Sequence, residues 1–227
     1  MIDDAVYRLT PWQRFGVLVI VILATTVYTA SVMISSALLP QMQGALSATQ
    51  DEISWTVTFN IVATAVATPM TGWLAARLGR RNTMMWCMLC FSASTFFCGL
   101  ATSLEELVFW RIVQGAAGAP LVPLGQTLLL DAYPRRQHGT IMAIYGMANM
   151  IGPMLGPTLG GSISEMYGWR WGFWMILPVA LPAVIGARFL VPADTDLKPV
   201  RLDWTGFLSF SIAIAAAQLV FSRGQRL

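Results

Sequence analysis

Seven apolar runs, at about residues 15–39, 53–75, 83–101, 107–130, 140–163, 171–191 and 204–221, dominate this chain. Each is near the roughly 20 residues that carry an α-helix across about 30 Å of hydrocarbon. No other feature restricts the fold so strongly, because a backbone in lipid must satisfy its polar groups internally, which favours helices for runs of this length. The connectors at 43–47, 78–82, 133–136, 165–168 and 192–196 are short and carry turn residues such as Gly44, Gly79, Pro134, Gly168 and Pro192. None is long enough for a soluble domain.

Composition excludes several function classes. Over 227 residues the chain is 56% hydrophobic and 11% charged, with mean hydropathy +0.63, whereas soluble domains are about a quarter charged. The net charge of +3 is scattered over connectors, so no basic stripe points to nucleic acid. Cys87, Cys90 and Cys98 share one apolar run and the single histidine, His138, lies in a polar loop. They read as buried small hydrophobes rather than a redox or metal site. No cofactor, metal or enzymatic activity is expected. The first run is far longer than a signal-peptide core of about 7–15 residues and is expected to remain as a span.

Lysine and arginine set the orientation. With the N-terminus cytoplasmic, the inner ends hold Arg8, Arg14, Arg77, Arg80, Arg81, Arg135, Arg136, Arg188, Lys198 and Arg201. The outer ends hold Arg170, Arg223 and Arg226 beside Asp51, Glu52, Glu105, Glu106 and Glu165. A multi-pass protein of the inner (cytoplasmic) membrane follows, with residues 1–14 as a cytoplasmic N-terminus, 15–191 as a six-span bundle, 192–203 as a cytoplasmic connector and 204–227 as a seventh span with its external end.

Rotating each run at 100° per residue separates polar from apolar faces. Thr25, Thr29, Val32 and Ser36 share a stripe in the first, and Thr56, Asn60, Ala63, Ala67 and Thr71 in the second. The fourth aligns Arg111, Gln114, Gly115, Gly118, Val122 and Gly125, with Gln126 at the edge. The third and sixth are nearly featureless. Spans one, two, four and five are therefore expected to wall a polar cavity, with three and six outside. Arginine at a helix centre costs about 2.5–3.5 kcal/mol on insertion scales and usually faces a bundle interior or aqueous cavity. The alternative is that Arg111 snorkels toward Glu105 and Glu106.

The fifth run contains Gly146, Asn149, Gly152, Pro153, Gly156, Pro157, Gly160 and Gly161. Gly146, Asn149, Pro153, Pro157 and Gly160 fall on one narrow stripe. A face without bulk lets a neighbouring backbone come close, and lipid-embedded helices tolerate the freed carbonyls. A bent, tightly packed helix is expected.

Three of these segments resemble the major facilitator superfamily. Gly72-Trp73-Leu74-Ala75-Ala76-Arg77-Leu78-Gly79-Arg80-Arg81 resembles its first cytoplasmic loop motif. The run from Leu107 through Arg111, Gln114, Gly115 and Gly118 to Ala119 is similar to its fourth-span motif, whose arginine the resemblance associates with proton coupling. Gly152, Gly156, Pro157, Gly160 and Gly161 match the spacing of its antiporter motif. Trp55, Pro69 with Gly72-Trp73-Leu74, Pro120 with Pro123-Leu124, and Asp203-Trp204-Thr205-Gly206 resemble the fourteen-span drug:proton antiporter branch of EmrB/QacA type, over nearly the whole chain.

The resemblance implies an all-α membrane protein: the N-terminal six-helix bundle of that superfamily, built as two inverted three-helix repeats, plus a seventh span. It implies a secondary efflux transporter for drug-like or amphipathic molecules, driven by proton antiport. Arg111, Gln114, Asn60, Thr29, Ser36, Gln126 and Asn149 become candidate cavity and coupling residues. Gly72, Arg77, Gly79, Arg80 and Arg81 form the gating loop, and Gly152, Pro153, Gly156, Pro157, Gly160 and Gly161 the helix-packing motif. Membrane lipid, a small-molecule substrate, a C-terminal half beyond residue 227 and a periplasmic adaptor are the implied partners. Two positions depart from the pattern: Ala76 and Ser31 stand where aspartates are usual. No carboxylate lies deep in any run, and arginine does not titrate near neutrality. The second reading is accordingly a truncated, transport-inactive membrane remnant or interaction subunit that retains the fold.

Overall fold

The computed structural model describes residues 9–192, 194 and 202–223. Most of the 192–203 connector and the expected inner charges Arg8, Lys198 and Arg201 lie outside the described residues, as does Arg226. The regular elements described are all helical. They are α1 (Pro11–Ala37), α2 (Leu39–Ala45), α3 (Gln50–Ala67), α4 (Met70–Leu78), α5 (Arg80–Leu100), α6 (Leu104–Gly118), α7 (Leu121–Ala132), α8 (His138–Tyr167), α9 (Trp169–Trp174), α10 (Leu177–Leu190) and α11 (Trp204–Arg223), with a 3-10 turn at Arg135–Gln137.

Local chemistry explains where the helices begin. Thr10 and Gln13 exchange a capping box ahead of α1, with Pro11 in the first helical position. Thr49 and Glu52 do the same for α3, and Ser103 accepts from the Glu106 amide at the start of α6. Asp203 accepts from the Gly206 amide at 3.0 Å ahead of α11. Each such cap stabilises a helix start by about 1 kcal/mol. Gly79 joins α4 to α5 at φ 83°, ψ 151°, and Gly168 joins α8 to α9 at φ 90°, ψ 160°. That region is open almost only to glycine.

Several runs expected to be continuous are interrupted. The second divides at Thr68–Pro69, where α3 and α4 meet at 58°. The fourth is split at Ala119–Pro120 and the sixth at Met175–Ile176, though both remain single long apolar stretches, Leu104–Ala132 and Trp169–Leu190. Proline withholds an amide and restricts the residue before it, which accounts for the first two breaks. Among the described residues, four stretches are long and apolar enough to cross a membrane, or five if the bent pair counts as one. The others are the glycine-diluted α8 and the shorter apolar stretch Trp204–Gln218.

The helices form an open ring in which α8 packs on α1, α1 on α10, α10 on α5, α5 on α6 and α6 on α3, while α11 rests on α3. Inside lie Val17, Val21, Ala24, Met84, Met88, Phe91, Leu107, Leu121, Leu124 and Phe173. The outward surface is also apolar, with Phe189, Met150, Met154, Ile185 and Ile212 exposed. A protein apolar on both sides suits lipid, where helices associate through close packing rather than hydrophobic burial.

That packing is tightest between α1 and α8, and it shifts the face expected for α8. A Cβ on Gly152 would stand 2.7 Å from the Thr26 carbonyl oxygen, one on Gly156 3.1 Å from that of Ala30, and one on Gly160 2.9 Å from Ile34 Cγ2. Thr26 Oγ1 donates to the Ala148 carbonyl at 3.3 Å across the same seam. Gly146 and Gly161 face open space, and Pro153 and Pro157 are only half-buried. The close seam is therefore Ala148, Gly152, Gly156 and Gly160 at four-residue spacing, rather than the stripe through Gly146 and the prolines. Despite both prolines α8 is one helix of 30 residues.

Candidate functional site

Arg111 is 1% exposed, the largest of the fully buried side chains. It lies on α6 between α3, α5 and α1, and it does not snorkel. Its Nη1 donates to Gln114 Oε1, one turn along the same helix, and its Nε approaches the Thr56 carbonyl at 3.4 Å. Gln114 Nε2 donates to Ser31 Oγ at 3.1 Å and to Thr95 Oγ1 at 2.6 Å. Asn60 Nδ2 donates to the Arg111 carbonyl at 2.7 Å, and Thr64 Oγ1 to the Gly115 carbonyl at 3.2 Å. Tyr28 closes the network by donating to Thr64 Oγ1 at 3.3 Å. Gly115 and Gly118 make the convergence possible: a Cβ on the first would collide with Asn60, and on the second with the Tyr28 ring.

Among the described residues no carboxylate reaches this cluster. Arg111 Nη2 and Asn60 Oδ1 are buried without a hydrogen-bond partner. A buried cation balanced only by neutral oxygens is costly, and each unsatisfied polar atom adds about 1–3 kcal/mol. Groups held at such cost are commonly functional in membrane helices.

The sequence-derived candidates divide. Arg111, Gln114 and Asn60 meet as one cluster. Thr29 bonds back to the Thr25 carbonyl at 3.0 Å, Ser36 to that of Val32 at 3.3 Å, and Gln126 is exposed. Asn149 is half-buried on α8 with Oδ1 unbonded. Among the described residues, none of these four hydrogen-bonds to Arg111. The residues that complete the cluster are Ser31 and Thr95, of which Thr95 lies on a span expected to stand outside it. In the sequence Ser31 stands out only as the position of a usual aspartate. Thr95 carried no signal of its own, since one threonine among serines looks like packing.

The second polar site lies at the opposite end of the bundle. Arg80 donates through Nε to Asp194 Oδ1 at 2.9 Å and through Nη2 to the same oxygen at 2.6 Å. Its backbone amide donates to Asp194 Oδ2 and its Nη1 pairs with Asp131 at the end of α7. One arginine thus ties the α4–α5 turn to the end of α7 and to the segment after α10. Burial works to raise the Asp194 carboxyl, but hydrogen bonds from Arg80 and the charges of Arg80 and Arg81 outweigh it and hold it below the usual carboxylate range. Arg77 lies over the Trp73 ring at 5.3 Å, and Gly72 faces open space. Arg81 Nε is buried and unbonded.

An apolar helical ring with a buried arginine cluster at one depth and an ionic tie across its connectors defines a multipass membrane transporter fold. The major facilitator superfamily pattern matches residues 20–224, and the chain belongs to that superfamily. It is 33% identical over 206 residues to the multidrug export protein EmrB of Escherichia coli, covering 90% of this chain and 40% of that protein. It is 34% identical over 206 residues to the probable multidrug resistance protein EmrY of the same organism, with the same coverage. The fatty acid resistance protein FarB of Neisseria gonorrhoeae is 33% identical over 195 residues, covering 86% of this chain and 38% of that protein. The chain thus spans about 40% of the length of these relatives. Solved structures share the fold: a peptide transporter POT in complex with alafosfalin (TM-score 0.74, 16% identity, 100% of this chain and 49% of that one) and a D-xylose-proton symporter (0.70, 16%, 92% and 55%).

Proposed function

We infer that this chain is the N-terminal part of a secondary efflux transporter that exports drug-like or amphipathic molecules by proton antiport. The observation that carries the reading is the Arg111–Gln114–Ser31–Thr95 cluster, which binds two further helices, α1 and α5, to the centre of α6. Seven spans, with the N-terminus and the Arg80 tie on the cytoplasmic side of an inner membrane, accord with the arginine distribution. In this reading the tie holds one conformation of the gating loop, and a second bundle completes the cavity, with a periplasmic adaptor beyond it.

Arginine polarises the cluster but does not release the coupling proton. Ser31 supplies a hydroxyl where a titrating group is usual, so the proton-carrying carboxylate belongs to a partner surface. The absence of a carboxylate from the cluster, among the described residues, is also the one observation favouring the second reading, a transport-inactive subunit that keeps the fold.

The test is Arg111→Ala and Arg111→Lys in the intact transporter, expressed at matched level in a host lacking other exporters. Lost efflux with normal membrane insertion is expected for alanine, with lysine failing to restore it because it lacks the planar fork facing Gln114. Unchanged efflux in the alanine variant overturns the role given to Arg111.

A further inference from the structure

The turn from α4 into α5 carries three arginines, Arg77, Arg80 and Arg81, and from Gly72 to Asn82 it has no acid of its own. Its charge is met from distant parts of the chain. Asp194, 114 residues away, takes three donors of Arg80 at once: Nε at 2.9 Å and Nη2 at 2.6 Å on Oδ1, and the backbone amide on Oδ2. Asp131, near the end of α7, takes the remaining nitrogen, Nη1.

The amide contact has its own cause. α5 begins at Arg80 behind Gly79, which offers no side-chain cap, so the first amide of the helix has no acceptor within its own segment. A carboxylate at that end is also favoured by the helix dipole. Asp194 therefore caps α5 from another part of the chain while fixing the guanidinium of the same residue, whereas an ordinary surface ion pair would meet the guanidinium alone. Its side chain is 17% exposed against 39% for Asp131. The more deeply set of the two carboxylates is the one brought by the segment after α10.

Ala76 shows what this arrangement replaces. It is half-buried in α4, four residues before Arg80, at the position where aspartate is usual in the superfamily. A carboxylate at 76 would keep the tie within the turn. Carried at 194, the tie binds the turn to the segment that leads from α10 toward α11.

We propose that Asp194 is a positioning residue of the inner gate, supplying to Arg80 the carboxylate that position 76 lacks, so that the gating loop and the segment after α10 are held and released together. The role rests on the transport reading. Asp194 acts through Arg80, which it keeps between the start of α5 and the end of α7, and it meets no substrate in doing so.

The test exchanges the two residues in the intact transporter, expressed at matched level in a host lacking other exporters. Asp194→Ala should lower efflux about fivefold with normal membrane insertion, the population change that about 1 kcal/mol gives. Ala76→Asp/Asp194→Ala should restore most of the loss. Ala76→Asn/Asp194→Ala, matched in size but without the charge, should not. Efflux unchanged in Asp194→Ala, or no better in the exchanged variant than in Asp194→Ala, overturns the proposal. Hydrogen exchange of the Arg80 amide in the purified chain reads the tie without transport and should be about fivefold faster in Asp194→Ala. A parent that exports nothing therefore sinks the transport reading, while an Arg80 amide that exchanges no faster in the variant sinks the tie itself.

Discussion

Gln114 stands between Arg111 and Ser31, accepting from the guanidinium through Oε1 and donating through Nε2 to the serine hydroxyl at 3.1 Å. One amide therefore links a buried cation on α6 to the position on α1 that sequence resemblance reserves for an acid. It satisfies Thr95 on α5 with the same nitrogen.

Replacing Gln114 with leucine strips an acceptor from Arg111 and a donor from two hydroxyls while filling a similar volume. We expect about 2–4 kcal/mol of destabilisation, since a buried charged group loses its partner. Thermal unfolding of the detergent-solubilised chain reads this directly. A transition within experimental scatter of the parent would show that the amide is not needed to hold the cluster.

The α1–α8 seam predicts an order among glycine substitutions. Gly152→Ala should be the most damaging, because its Cβ meets the Thr26 carbonyl at 2.7 Å, and backbone cannot swing away as a side chain can. Gly156→Ala, at 3.1 Å from the Ala30 carbonyl, should cost less. Gly146→Ala meets nothing within 4 Å and should stabilise by about 0.5–1 kcal/mol through helix propensity. Overpacking elsewhere on the seam costs about 1–3 kcal/mol. Folded yield and unfolding temperature of the three variants test the ranking.

Gly79→Ala is expected to destabilise the α4–α5 turn by about 1–3 kcal/mol. The reason is the backbone at φ 83°, ψ 151°, not lack of room. Gly72→Ala, in open space on the same loop, is the control and should be nearly silent. Hydrogen exchange of the Thr83 amide, which donates to the Gly79 carbonyl at 2.9 Å, locates the effect.

The Arg80–Asp194 pair carries a pH dependence of definite sign. Because the Asp194 carboxyl is held below its ordinary range, its contribution is fully present above the unfolded carboxylate value of about 3.9 and is lost as pH falls through the lower folded value. Protection of the Arg80 amide, corrected for intrinsic exchange, should thus stay flat from neutrality to about pH 4 and decline below. Asp194→Asn should lower it above about pH 4, by less than about 1 kcal/mol because Arg80 is partly solvated, and should differ little from the parent once the carboxyl is protonated. A decline already complete at pH 6 would contradict the assignment.

The legible and illegible parts of the site follow from geometry. Arg111, Gln114 and Asn60 were visible because helical periodicity places residues three and four apart on one face. Arg80 was visible because its loop has a distinctive spacing, but Asp131 and Asp194, 51 and 114 residues away along the chain, were not. Thr29 and Ser36 share a helical stripe with Thr25, yet Ser31 is the residue that reaches Gln114, because α1 is rotated to bring that side inward. Periodicity fixes residues relative to their own helix only.

By itself, then, the sequence determined the apolar runs, their helical state, the turn glycines and the presence of an arginine within a span, all of which depend on local backbone chemistry and hydropathy. The tertiary structure decided which side of each helix meets which neighbour. Close contacts at Gly152, Gly156 and Gly160 set the approach of α8 to α1, and Gly115 and Gly118 set that of α6 to α3 and Tyr28. Interhelical rotation depends on such backbone contacts between distant segments, and it alone brought Ser31 and Thr95 to Gln114.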